Sequence, residues 1–323
     1  MPVNYAQDWL EVEKLLGMRP LFSGSVDEIR QQFAATAQNP QKPDYGPAPS
    51  SVESFEYSTS SPTNPKIALR VYKPKGVEGP LPLGFYAHGG GLILGDLEND
   101  DYLLRCASQA IPAVIVQVDY RLAPETKFHG IFEDVYAGFQ WTLENAEKLG
   151  GDKKRLFVAG DSAGGGLAAS VALKDRDDGT RAIKGQVLIQ PNTVQQDLLP
   201  DDKKHLFTSF DRVGKDGACV NSETLTTMWN ASRPDGALGK YICPYLHPDG
   251  HKDLPKAFVF FNSEDCLHDD GANYAQMLAE NGVDVKTKEY VGYPHVWFTF
   301  PPLAKTLEFF DDFVGAIRHV LEE

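Results

Sequence analysis

The sequence predicts an α/β fold: a mostly parallel central sheet with helices on both faces and a helical cap. Three observations predict it. From about residue 113 onward, short β-prone runs alternate with longer segments of helical period, the pattern of parallel strands joined by crossover helices. The runs are almost continuously apolar, as in Ala113-Val114-Ile115-Val116-Gln117-Val118, which suits strands buried on both faces. The stretch 193–240 breaks this rhythm and is too long for a plain connection, so it needs structure of its own.

The elements follow in order. Residues 4–17 place Tyr5, Trp9, Val12, Leu15 and Leu16 near helical period. Ser25 and Asp27 are candidate caps for a second helix running to about Ala37. A loop rich in Pro, Ser and Gly occupies 39–51. Strand-like runs then fall at 53–59, 66–73 and 82–87, the second given β-prone character by Leu69, Val71 and Tyr72. The alternation continues with strand 113–118, helix 132–149, strand 155–159, helix 163–176 and strand 186–189. It resumes with strand 257–261, helix 271–281, strand 284–291 and helix 303–321. The intervening 193–240 carries Phe207, Phe210, Met228 and Trp229. It reads as a helical insertion over the C-terminal edge of the sheet, with a second lobe remote from any site as the alternative.

The chain has 323 residues, 42% hydrophobic and 24% charged, enough for one large α/β domain with an insertion. Its net charge of −14 argues against nucleic acid or an anionic membrane surface as partner. Cys106, Cys219, Cys243 and Cys266 show no CxxC spacing, so neither a disulfide framework nor a zinc site is expected. The start has no basic segment followed by an apolar run, and no stretch approaches the roughly 18 apolar residues of a membrane span. A cytoplasmic protein with reduced thiols is expected, and the sequon Asn230-Ala231-Ser232 reads as chance.

The strongest local signal is Gly160-Asp161-Ser162-Ala163-Gly164-Gly165-Gly166, which follows a strand run and opens a helix. A sharp strand-to-helix turn presents the serine in a strained conformation, and glycines two residues to either side remove the Cβ atoms that would clash. Asp161 is a candidate for orienting this turn. The second signal is His88-Gly89-Gly90-Gly91, directly after the run Phe85-Tyr86-Ala87. Acyl transfer places charge on a carbonyl oxygen, and a glycine loop presents backbone N–H groups to it. Gly89, Gly90 and Ala163 are the expected oxyanion-hole donors, with His88 an anchor for the loop. A serine needs a base to take its proton, and the base needs an orienting carboxylate. After such a serine the acid and then the histidine follow along the chain. Asp265, after the run 257–261, and His295, after 284–291, fit that order. Glu264, Asp269 and Asp270 compete with Asp265; the last two are expected to cap the helix that begins there.

With these motifs in view, the chain resembles the hormone-sensitive-lipase-like esterases of the α/β-hydrolase superfamily. The resemblance rests on His88-Gly89-Gly90-Gly91, Tyr120-Arg121-Leu122-Ala123-Pro124-Glu125, Glu133-Asp134-Val135-Tyr136, Gly160-Asp161-Ser162-Ala163-Gly164-Gly165 and the stretch from Asp265 to His295, about residues 80–300. It implies an α/β-hydrolase fold and a cap built from the N-terminal helices (1–45) and the insertion (193–240), over a core of 46–192 and 241–323. It also implies hydrolysis of short- to medium-chain carboxylic esters through an acyl-enzyme, with no cofactor and no metal. Leu92, Phe207, Phe210, Trp229 and Trp297 are the residues expected to line the substrate pocket.

Four positions depart from the family pattern. Cys266-Leu267-His268 stands where Pro-Leu-Arg is usual, Gly166 where Asn is common, and Leu92 where a bulky aromatic is frequent. The sequence looks closest to fungal members acting on secondary-metabolite esters. A lactonase, an amidase, another natural-product enzyme and a ligand-binding protein with an idle triad are the alternatives. The expected partner is a small-molecule ester, with a homodimer left open. His247 and His251 have helical metal spacing, but the turn Pro248-Asp249-Gly250 lies between them, and His319 reads as a solvated helix residue.

Overall fold

The computed structural model describes residues 3–37, 47–300 and 303–322. Most of the expected loop 39–51, and the boundary at 45/46, lie outside the described residues. The apolar and β-branched runs form one eight-stranded sheet: β1 (Val52–Ser61), β2 (Asn64–Pro74), β3 (Leu81–Ala87), β4 (Val114–Asp119), β5 (Gly151–Asp161), β6 (Ile183–Ile189), β7 (Lys256–Asn262) and β8 (Val285–Tyr290). Their order is β1-β2-β4-β3-β5-β6-β7-β8. β2 pairs antiparallel with both β1 and β4, while β4 through β8 run parallel. The central strands are buried over their apolar stretches, β3 throughout and β5 from Leu156 to Asp161, as a sheet covered on both faces requires.

Helices α1 (Gln7–Leu16) and α2 (Val26–Ala37) precede the sheet. Ser25, not Asp27, caps α2. Its backbone N–H donates to Glu28 at 2.7 Å, and its Oγ accepts from the Glu28 N–H at 3.3 Å, a reciprocal capping box. The crossovers carry α3 (Asp101–Ala110), α4 (Phe128–Leu149), α5 (Ala163–Asp177) and α8 (His268–Glu280), with α6 (Ser209–Val213) and α7 (Ser222–Ser232) between β6 and β7, and α9 (Ala304–Leu321) follows the last strand. The sequence pattern did not predict α3. Its apolar positions Leu103, Leu104 and Ala107 are buried, but ten residues carry too few turns for the period to stand out, and no side chain caps it.

Parallel strands bring their C-terminal ends to one edge of the sheet. Ala87 lies beside Gly160, Asp161 beside Ile189, and Asn262 beside Tyr290. The loops that follow β3, β5, β7 and β8 therefore meet at that edge, the usual place for a ligand in such sheets. The segment between β6 and β7 forms helices, as expected, and the N-terminal segment is bound to it. Leu21 makes a parallel bridge with Cys219, the Tyr5 hydroxyl donates to Asp216 O and accepts from Ala218 N–H, and Thr224 Oγ1 donates to Phe22 O.

Candidate active site

Ser162 sits on the turn between β5 and α5 with φ 54° and ψ −119°. A non-glycine residue with such φ is strained and persists only when its surroundings hold it. They do: Ser162 N–H donates to Ile189 O at 2.7 Å, and Asn192 N–H donates to Ser162 O at 3.0 Å. The flanking glycines are sterically required. A Cβ on Gly164 would lie 2.1 Å from Ala87 O, and one on Gly160 would lie 2.4 Å from Gly164 O.

His295 reaches Ser162 from the loop after β8. Its Nε2 lies 2.7 Å from Ser162 Oγ and its Nδ1 2.6 Å from Asp265 Oδ2. In that arrangement the imidazole Nδ1–H donates to the carboxylate, and Nε2 accepts the serine proton. Asp265 Oδ1 accepts the Leu267 N–H at 2.8 Å. Ser162, Asp265 and His295 are 7%, 2% and 1% exposed, so solvent scarcely competes for these bonds. Two residues that the sequence reading missed hold the histidine loop. Gln190 Oε1 accepts the Val296 N–H at 2.7 Å, and the Asn262 side chain donates to Pro294 O at 2.7 Å. The available signal was an amide at the end of an otherwise apolar strand run, twice.

The competing acids are engaged elsewhere. Glu264 pairs with Arg212 at 3.1 Å. Asp269 accepts from Thr208 and Ser209 N–H at 2.6 and 2.8 Å, so it caps α6. Asp270 accepts from Thr193 and Val194 N–H at 2.9 and 3.1 Å, and burial pushes its carboxyl up to about 8. The expectation that these two acids cap α8 is thus corrected: both lie in its first turn but turn toward the chain that follows β6. Cys266, at the family's proline position, is buried with Val213, Val220, Leu225, Trp229 and Leu267.

The loop after β3 is anchored by His88. Its ring stacks on Tyr120 at 4.2 Å, its Nδ1–H donates to Gly89 O at 2.7 Å, and the Tyr120 hydroxyl donates to His88 O at 2.7 Å. Burial lowers the His88 imidazole to about 4, which keeps it neutral. Gly89 packs against Asp161, where an added Cβ would lie 2.3 Å from Oδ2. It is not among the walls of the cavity beside Ser162 and Ala163, which Gly91 lines. Gly91, rather than the expected Gly89, is therefore the glycine placed to donate to the oxyanion. Among the described residues, no protein acceptor takes the N–H of Gly90, Gly91 or Ala163.

That cavity has a free volume of about 30 Å³ and is walled by Leu92, Phe128, Gly166, Leu167, Ser170, Asn192, Gln195, Leu225, Met228, Trp229 and Ile242. Such a volume accommodates one or two water-sized groups. Of the expected pocket residues, Leu92 and Trp229 reach it. Phe210 stacks behind Trp229 at 5.4 Å. Phe207 packs edge-on against Tyr245 instead. Trp297 is fully buried among Tyr290, Tyr293, Phe298 and Phe309, so its place is the core beneath the sheet edge. Met228, Asn192 and Gly166 are wall residues the sequence reading missed. The glycine at 166 has a local cause: a Cβ there would lie 2.1 Å from Asn192 O. Asn192 in turn accepts the Trp229 indole N–H at 3.1 Å.

His247 and His251 do not converge, since His251 bonds to Pro244 O at 2.8 Å. Ligand atoms of Asp177, His247 and Asp249 do lie within 4.8 Å of one another, but the Lys240 ammonium sits 2.6 and 2.9 Å from the two carboxylates. No described helix is long and apolar enough to cross a membrane.

Comparison with known proteins agrees with this geometry. A family model described as the alpha/beta hydrolase fold matches residues 84–299. The versiconal hemiacetal acetate esterase of Dothistroma septosporum is 30% identical over 100% of this chain and 97% of its own length. The carboxylesterase NlhH of Mycobacterium tuberculosis is 36% identical over 72% of each chain. Among solved structures, a thermostable carboxylesterase cloned from a metagenomic library superposes with a TM-score of 0.79 at 31% identity, covering 93% of this chain and 99% of that one. The chain belongs to the α/β-hydrolase family, in its hormone-sensitive-lipase-like branch.

Proposed function

We propose that the protein is a serine carboxylesterase that cleaves esters of small acyl groups through an acyl-enzyme. The observation that carries the reading is the buried relay from Asp265 through His295 to Ser162 Oγ, with both bonds shorter than 2.8 Å. Ser162 Oγ attacks the ester carbonyl while His295 takes its proton, and Asp265 holds the tautomer and favours the imidazolium. The N–H groups of Gly90, Gly91 and Ala163 receive the oxyanion. His295 then protonates the leaving alcohol, and water activated by the same imidazole releases the acid.

The small free volume beside Ser162, closed by Leu92, Met228 and Trp229, supports acyl groups at the short end of the two-to-eight-carbon range, acetyl above all. The name of the Dothistroma relative, an acetate esterase, supports the same choice and a natural-product ester as substrate. The N-terminal helices and the helices between β6 and β7 act as a cap in this reading. Four free cysteines favour a reducing compartment such as the cytosol. The test is an organophosphonate probe followed by peptide mapping. Stoichiometric labelling of Ser162 is expected, and folded protein that does not react at Ser162 would contradict catalysis. A p-nitrophenyl ester series should peak at acetate to butyrate and fall with longer chains.

A further inference from the structure

We infer that Gln195 sets substrate specificity: its side-chain amide donates a hydrogen bond to an oxygen carried by the acyl group, so the preferred substrates are esters of small oxygenated acids (ether, keto or hydroxy acids) over esters of plain alkyl acids. This inference rests on the esterase reading above. Gln195 follows β6 and walls the cavity beside Ser162. It is 4% exposed, and its amide is held in one orientation. Gln195 Oε1 accepts from Arg233 Nη2 at 2.6 Å and from Arg233 Nε at 3.2 Å. Arg233 in turn grips Asp197 through Nη1 and Nη2 at 2.7 and 2.8 Å. A guanidinium only donates, so the amide oxygen must face it and the NH2 group must face away. Arg233 is not among the cavity walls, whereas Gln195 is. Fixing the oxygen on Arg233 therefore leaves Nε2 as the polar atom of Gln195 toward the cavity.

A count of donors singles this group out. The other polar side chains of the wall are Ser162, Ser170, Asn192 and Trp229. The Ser162 hydroxyl is committed to His295, and that of Ser170 donates to Tyr241 O at 2.7 Å. The Trp229 indole N–H is taken by Asn192 Oδ1. The Asn192 amide donates to Val194 O at 3.2 Å and to Asp270 Oδ1 at 3.4 Å. Among the described residues, no acceptor takes an N–H of Gln195 Nε2. Nor is that nitrogen sealed off: unlike Nε2 of Gln190 and Gln196, it keeps surface open to a water-sized group.

The consequence is selection for an atom type as well as for size. A free volume of about 30 Å³ holds one or two water-sized groups, so an acyl group that enters displaces the water Nε2 would otherwise hold. Against an alkyl chain the donor is then left unpaired, which costs free energy; against an ether or carbonyl oxygen it is satisfied. The walls Leu92, Leu225, Met228 and Ile242 are apolar and offer no substitute acceptor.

Two readouts test this. The first uses p-nitrophenyl esters that exchange one methylene for one oxygen: methoxyacetate against butyrate, and 3-methoxypropanoate against pentanoate. The inductive effect of the oxygen is common to every form of the enzyme, so the change in the kcat/KM ratio between wild type and variant isolates the contact. Gln195→Glu keeps the acceptor for Arg233 but presents no N–H, and Gln195→Met removes both. In each variant the oxygenated-to-alkyl ratio should fall about tenfold for at least one pair. The second readout needs no turnover. Ligand-observed NMR titrations give the affinity of Ser162→Ala for the ethyl esters of the same four acids. The oxygenated ester of at least one pair should bind more tightly, and the advantage should vanish in the double variant Ser162→Ala, Gln195→Glu. Should Gln195→Glu not fold, Gln195→Met takes its place in both arms. Turnover by wild type with ratios that both variants leave within twofold would overturn the role of Gln195 while the esterase reading stands. Absence of turnover would fail the esterase reading and leave the decision to the titrations, where equal binding of the oxygenated and alkyl esters would overturn the contact.

Discussion

Ser162 has a positive φ because a helix must begin one residue after a strand ends, and its neighbours Gly160 and Gly164 take the crowding. Strain of this kind costs about 1–3 kcal/mol. Ser162→Gly should therefore melt higher than Ser162→Ala, and both should be inactive; thermal unfolding and initial rates check the pair. Asp265→Asn should lower turnover by about four orders of magnitude through the wrong imidazole tautomer. Asp269→Asn should cost about 1 kcal/mol of stability through the cap of α6 and leave turnover within a few-fold. Asp270 gives a signed pH effect. Its folded value of about 8 lies above the unfolded value of about 3.9, so the native state keeps a proton that the unfolded chain releases. Its contribution to stability is fully present below about pH 4 and is lost as pH rises to about 8. The stability of Asp270→Asn relative to wild type should thus increase across that window and then level off, as denaturant titrations at stepped pH would show.

The turn after β5 and the acid and histidine loops were legible because each is set by a local rule: a glycine two residues to each side, and a polar loop after an apolar run. The glycine loop was legible in kind but not in register. Which of three consecutive glycines faces the serine depends on Gly89 packing against Asp161, a contact between the ends of β3 and β5. Trp297 was misplaced for a similar reason. Adjacency to His295 says nothing about direction, and the left-handed Val296 (φ 48°) sits between the two residues, with Trp297 buried in the core. Gly166 shows the same dependence on tertiary contact. Its missing Cβ admits Asn192 O, and Asn192 fixes Trp229 in the cavity wall. Gly166→Ala should cost about 1–3 kcal/mol by overpacking and raise KM more than it lowers kcat. Stability and Michaelis curves on the same preparation test both parts.

At the scale of the molecule, the parallel order of β4 through β8 brings four loops to one edge, and the N-terminal segment crosses back to hold the helices beside them. α1 is part of the fold. Trp9 is fully buried, and Asp8 accepts from the Tyr293 hydroxyl at 2.5 Å, two residues before His295. Trp9→Ala should cost about 3–5 kcal/mol, visible in the denaturation midpoint. A cap shared by the N-terminal helices and the insertion is what the family resemblance implied. The pairing of Leu21 with Cys219 was not readable from the sequence, because an isolated bridge leaves no periodicity in either segment. The central claim is that Ser162 carries the acyl group. The most direct measurement is acid quenching during p-nitrophenyl acetate turnover, followed by peptide mapping of wild type, Ser162→Ala and His295→Ala. An acetyl group on Ser162 in wild type, and on no residue of either variant, is the predicted result. Acetylation of a different residue, or turnover by Ser162→Ala at more than a few per cent of the wild-type rate, would contradict it.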